Sequence, residues 1–285
     1  MARHIEEDDI RPIGDVGRPE NPRVIDNPTR LMNMKNEVSR YVRSFTRKGV
    51  PVKFSQEQGL GYTAPDGSVT ITAAITEDSY PAVIGTALHE AAHVNWTDLG
   101  FFKRLAEEPE KVIPSRLWNK ARQQGEDEEW IKYALKSICN SVEDRRIDSM
   151  TFDERPGWRK YLLYRYNFWY FSENTDEALQ TAATEMEEEW GAYMFHVTNL
   201  HNPKIDRHAL DALPDIMDTI DLEDIDRLEN MRDSFEISLD VFELILDAVD
   251  EPMEDFDKCE GGQGGAGGSG GGDSEEGDQE VENVG

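Results

Sequence analysis

Leu31, Met34, Val38, Tyr41, Val42 and Phe45 recur at helical spacing, which predicts a helix over residues 29–48 that Gly49 ends. The pattern then shortens. Residues 50–54 predict a strand, and residues 61–64 and 68–75 flank Pro65-Asp66-Gly67 and so predict a hairpin. In the second arm Val69, Ile71, Ala73 and Ile75 alternate with Ser68, Thr70 and Thr72, as a half-buried strand requires. After Ile75 the period is helical. Residues 76–79 offer capping side chains, Pro81 suits a first turn and Gly100 a stop. Further helices are predicted over 101–108, 114–124, 127–152, 156–172, 175–200, 209–220 and 222–250. One helix, a small antiparallel sheet and a mainly helical remainder make an α+β fold.

Residues 1–27 carry Glu6-Glu7-Asp8-Asp9 and several prolines without an apolar period, and are expected to form a flexible arm. Residues 28–258 are expected to form one domain, and the Gly-rich acidic stretch over 259–285 a disordered tail. The formal charge of −29 speaks against nucleic acid and against an anionic membrane as partners. Two cysteines, Cys139 and Cys259, make no disulfide framework, and the N-terminus has no apolar signal core. A cytoplasmic protein is expected, in the host cytoplasm if the chain is viral.

The helix after the hairpin contains His89-Glu90-Ala91-Ala92-His93. Residues four apart share one helix face, so both imidazoles can grip one metal ion. Glu90, one position on, can reach a water on that metal without ligating, and act as general base. This is the zinc-peptidase HExxH pattern, and it predicts a zinc-dependent hydrolase of peptide bonds. A metzincin would need Gly and His where Trp96 and Leu99 stand, so the third ligand is sought on a later helix, in the gluzincin manner. The candidate run is Asn140-Ser141-Val142-Glu143-Asp144-Arg145-Arg146-Ile147-Asp148. Glu143, at the edge of the stripe formed by Ile131, Leu135, Ile138 and Val142, is the leading ligand. Asp144 is the alternative, with Asp148 one turn on as its helper.

The two motifs together, His89 to Asp98 and Asn140 to Asp148, resemble a family of metallopeptidase-like domains of bacteria and phages. These often precede a von Willebrand factor A domain and are sometimes labelled cobaltochelatase-like. The resemblance covers about residues 80–150. It implies a mainly helical zincin-like domain, a Zn2+ site of His89, His93 and Glu143, and Glu90 as general base. It also implies a von Willebrand factor A-type or ATPase partner protein, although no such domain follows the Gly-rich tract here.

His196 and Tyr193, three residues apart, are the candidate oxyanion donors, and Asp98 is a candidate to orient the metal ligands. A peptide or protein substrate is expected to lie beside the 68–75 arm, through that strand's open edge. The alternative function is a non-catalytic, metal-stabilised module that binds an ATPase or chelatase-like assembly.

Overall fold

Asn27 opens the first helix, α1 (Pro28–Thr46). Its side-chain oxygen accepts from Thr29 N and Arg30 N, and Pro28 fits the first turn. The computed structural model describes residues 22–56, 60–185 and 188–249. The arm expected over 1–21, Cys259 and the tail expected over 259–285 lie outside the described residues. Residues 22–27 belong to the body, contrary to expectation. Arg23 donates through Nε to Asp78 Oδ1 at 2.8 Å, Arg23 O accepts from Glu77 N at 3.1 Å, and Ile25 is buried.

Three strands follow: β1 (Val52–Ser55), β2 (Gly61–Thr63) and β3 (Val69–Thr72), in the order β1-β3-β2. β2 and β3 form the expected hairpin, with Gly67 at φ 77° in the turn. β1 runs parallel to β3, so the sheet is mixed and not antiparallel. The hairpin fills one edge of β3, and β1 takes the other. β3 therefore has no open edge for a substrate. Its faces are covered too, since Ser68 and Thr70 are buried along with Val69 and Ile71.

The next helix, α2 (Tyr80–Trp96), is buried on every side from Ala82 to His93. It stops at Trp96, ahead of Gly100, because Thr97 adopts an extended backbone and Asp98 turns to accept from Phe101 N, opening α3 (Leu99–Glu107). After α4 (Pro109–Val112) and α5 (Ser115–Gln123) comes α6 (Glu128–Glu154), capped by Asp127. A 3-10 turn leads into α7 (Arg159–Trp169). The helix expected over 175–200 is two, α8 (Glu173–Glu185) and α9 (Trp190–Thr198). α10 (Leu213–Ile220) is shorter than expected. The run over 222–250 is a 3-10 segment and then α11 (Met231–Ala248), which Asn230 and Asp233 start with a capping box. Among the described residues no helix is long and apolar enough to cross a membrane.

Two large apolar cores and a smaller cluster of Phe152, Leu162, Leu163, Tyr166 and Tyr170 fill the described body. In one, Leu117, Leu135, Ile138, Phe242 and Ile245 join α5, α6 and α11. In the other, Val38, Val42, Ile71 and Leu88 join α1, the sheet and α2. α6 serves both: Ile131 to Val142 pack into the first and Ile147 into the second. Residues 143–146 thus sit at the seam, with Asp144 turned toward α2.

Gly85 lets α7 approach α2 closely. A Cβ there would lie 2.1 Å from Tyr161 O and 2.9 Å from Arg165 Cβ. Helix propensity alone would make Gly85→Ala stabilising by about 1 kcal/mol. The clash with backbone should reverse that sign, costing about 1–3 kcal/mol in urea unfolding. A neutral or stabilising result would show that the two helices are not held this close.

Candidate metal centre

His89 and His93 are one turn apart on α2, both buried, with ring centroids 4.9 Å apart. α6 brings Asp144 to meet them. Its Oδ1 lies 3.4 Å from His89 Nε2 and 3.1 Å from His93 Nε2. One ligand atom from each of the three residues falls within 4.8 Å of the others.

The far side of each ring fixes its tautomer. His89 Nδ1 is 2.8 Å from Asp148 Oδ1, and Asp148 Oδ2 accepts from the Tyr166 hydroxyl and, at 3.2 Å, from Arg165 Nη1. Burial would raise the Asp148 pKa, but His89 and Arg165 outweigh it and hold the carboxyl well below the usual range. An ionised Asp148 can only accept, so His89 Nδ1 carries the hydrogen. His93 Nδ1 is 2.9 Å from Thr97 Oγ1, and Thr97 donates its one proton to Glu143 Oε1 at 2.6 Å. The hydroxyl must therefore accept from His93 Nδ1–H. Both Nε2 atoms are left with lone pairs directed at Asp144.

Glu143, the expected ligand, is turned away from this point and is fully occupied. Its Oε1 accepts from Thr97 and from Arg146 Nη2 at 2.7 Å; its Oε2 accepts from Arg146 Nε and Ser234 Oγ, each at 2.8 Å. Four donors saturate a carboxylate, so no oxygen remains for a metal. Arg146 in turn donates to Trp96 O at 2.9 Å, which ties α6 to the end of α2. The structure thus brings Asp144, not Glu143, to the histidines, while Asp148, expected as a helper of Asp144, bonds the far side of His89.

Asp144 Oδ1 is buried and receives no ordinary hydrogen bond, while Oδ2 takes one long contact from Asn140 Nδ2 at 3.4 Å. Three electron-rich atoms facing one another need a cation or a proton among them. The spacing suits either: 3.1 Å also lies within the ordinary N–H···O range, and both distances suit ligands of one ion. A charge-assisted N–H···O bond spans about 2.7–2.9 Å. Ligands at about 2.0–2.1 Å from a tetrahedral metal are about 3.3–3.4 Å apart, close to the 3.1 and 3.4 Å seen. Two imidazoles and one carboxylate suit zinc and its neighbours in the first transition row. In the metal-free chain a proton takes the cation's place. Burial and Arg165 push the His89 pKa down, but the Asp148 and Asp144 carboxylates more than offset them, raising it to about 9.

Glu90 is buried on α2, and its Oε2 and backbone oxygen both face the Thr63 hydroxyl of β2, at 2.9 and 2.8 Å. The other expected residues lie elsewhere. Asp98 caps α3 and pairs with Arg104 at 3.0 Å. Tyr193 donates to Glu188 and accepts from Ala212 N, and His196 Nδ1 donates to Ala192 O at 2.8 Å. Both belong to α9, and neither touches the cluster. Cys139 packs in the first core, where burial pushes its thiol pKa up. Thr63 and Arg165 had no signal in the sequence beyond their residue types, while Thr97 and Arg146 lay within the two motifs without an assigned role. The Tyr166 hydroxyl serves Asp148.

No family model matches the chain, no curated protein matches it, and no solved structure matches it. The resemblance to the metallopeptidase-like family therefore rests on the two motifs alone, and function is read from the site's geometry.

Thr97→Val removes the acceptor that orients His93 at nearly constant volume. It should weaken zinc binding by about 10–100-fold in chelator competition while the fold survives, and Thr97→Ser should restore it. Unchanged affinity in Thr97→Val would rule out the relay. The metal-free chain should also lose stability with rising pH. His89 binds its proton more tightly folded than unfolded, so that stabilisation is complete below about pH 6.5 and is lost as pH passes through about 9. Urea unfolding of chelated protein from pH 6 to 10 reads this slope, and His89→Gln should flatten it.

Proposed function

We propose that the protein is a zinc-dependent peptide hydrolase whose metal is held by His89, His93 and Asp144, with Glu90 as general base. The observation that carries this is the convergence of three buried lone-pair donors at the spacing of tetrahedral ligands, with a carboxylate next to one of them in the chain. A zinc ion bound there would supply a Lewis acid and bring the pKa of its water near 7. Glu90 takes the proton of the attacking water and returns it to the leaving amine. Thr63 holds the Glu90 carboxylate, donating to Oε2.

The strand that carries Thr63 also supports a reading of where a peptide would bind. Leu60 O accepts from Thr72 N, and Ala64 N donates to Ser68 O, so even-numbered positions of the β2 arm bond to β3. The N–H and C=O groups of Gly61 and Thr63 point to the outer edge, where no backbone partner meets them among the described residues. A peptide paired along that edge runs past the residue that touches Glu90. On this reading the substrate lies beside β2, in place of the β3 edge expected from the sequence.

Glu90→Gln should retain zinc and lower cleavage of a peptide library by about 10²–10⁴-fold, while Asp144→Ala should lose both metal and cleavage. Parent-level cleavage by Glu90→Gln would refute the assignment. A structural metal is the second reading, favoured by one fact: the same three side chains bridge α2 and α6. It requires that zinc raise the melting temperature while no peptide is cut by the parent chain.

A further inference from the structure

The chain has 59 acidic and 30 basic residues, yet the segment from α1 to β1 is basic. Between residues 31 and 55 stand Lys35, Arg40, Arg43, Arg47, Lys48 and Lys53, against Glu37 alone. Glu37 is already taken, by the Tyr80 hydroxyl at 2.7 Å. Lys35, Arg40 and Arg43 line an open groove beside α1, and Met32, Val52 and Phe54 form its apolar wall. Met32 is 58% exposed, and Lys35 Nζ lies 5.3 Å from the Phe54 ring centroid. Among the described residues these three cations have no carboxylate partner.

The groove also borders a strand edge that has no backbone partner among the described residues. Pro51 O accepts from Val69 N, and Ser55 O accepts from Ala73 N, so residues 51, 53 and 55 bond to β3. The N–H and C=O groups of Val52 and Phe54 alternate with these and point outward. An edge with apolar side chains and free backbone groups is a template for another strand. Its cations specify an acidic one.

We propose that the segment Ile5-Glu6-Glu7-Asp8-Asp9-Ile10 of the same chain docks in this groove as an added strand on β1. Its four carboxylates complement Lys35, Arg40 and Arg43, and Ile5 and Ile10 match the apolar wall. Reach is sufficient. Residues 11–21 intervene before the described chain begins, and they span up to about 36 Å at about 3.3 Å each. α1, with 19 residues, is about 28 Å long. The acidic residues 251–257 are the competing occupant, but they follow α11, whose last turn is held to α5 through Lys120, Asp247 and Gln124 in the other core. Docking of residues 5–10 would protect β1 from pairing with other chains.

Amide hydrogen exchange on the full chain tests this at residues 5–10 and at Val52 and Phe54. Protection is expected in the parent protein, independent of protein concentration. Neutralising the segment (E6Q/E7Q/D8N/D9N), which leaves the body untouched, should speed exchange at both places by roughly ten-fold, the scale that a few exposed ion pairs reach together. K35Q/R40Q/R43Q should do the same. Unprotected residues 5–10 in the parent, or equal protection in the neutralised variant, would overturn the proposal. So would protection that grows with protein concentration, which assigns the groove to a second copy. Protection of Val52 and Phe54 that disappears only on removing residues 250–285 would overturn it in favour of the C-terminal segment.

Discussion

Burying an ion without a fixed partner costs several kcal/mol, and α6 buries Glu143, Asp144, Arg145, Arg146 and Asp148 within two turns. The rest of the structure is arranged to meet that demand. Glu143 and Arg146 neutralise each other, and their remaining valences go to Thr97, Ser234 and the Trp96 carbonyl. Arg145 donates to Tyr166 and to Thr198 O, and Asp148 is matched by Arg165, Tyr166 and His89. These contacts recruit α2, α7, α9 and α11 to one helix. Asp144 Oδ1 is the carboxylate oxygen among these buried ions that no protein hydrogen bond reaches, and it faces two imidazole nitrogens. The charge left over at the seam defines the site.

Part of this could be read from the residues alone. The four-residue spacing of His89 and His93 needs only a helix to put both rings on one face, and the pattern around them predicted that helix. Pro65-Asp66-Gly67 predicted the hairpin, because a left-handed glycine at position 67 suits a tight turn. Long helix α6 followed from its apolar stripe.

The choice between Glu143 and Asp144 was not legible in the same way. Adjacent helical residues differ by about 100° in direction, and both are acids on a helix with a known buried stripe. What turns Glu143 aside is Ser234, far along the chain, together with Arg146 and a threonine that leaves its own helix to reach it. Such partners are set by tertiary packing and carry no local period. The same limit explains the sheet. Alternation in β3 marked a strand, but not which neighbours would occupy its two edges.

α6 threads both large apolar cores, while the histidines that meet Asp144 stand on α2, whose apolar residues pack in the second. The two halves of the body are therefore coupled through a short polar span. A cation shared by α2 and α6 would act as a clutch there. Engaged, it would make the halves harder to separate, because neither could loosen without breaking ligand bonds. Disengaged, a proton shared between Asp144 and His89 would hold the seam more loosely, and each core would keep its own hydrophobic stability. The strength of the coupling would then depend on how the charge of Asp144 is matched, alongside the Arg146 contact to the end of α2.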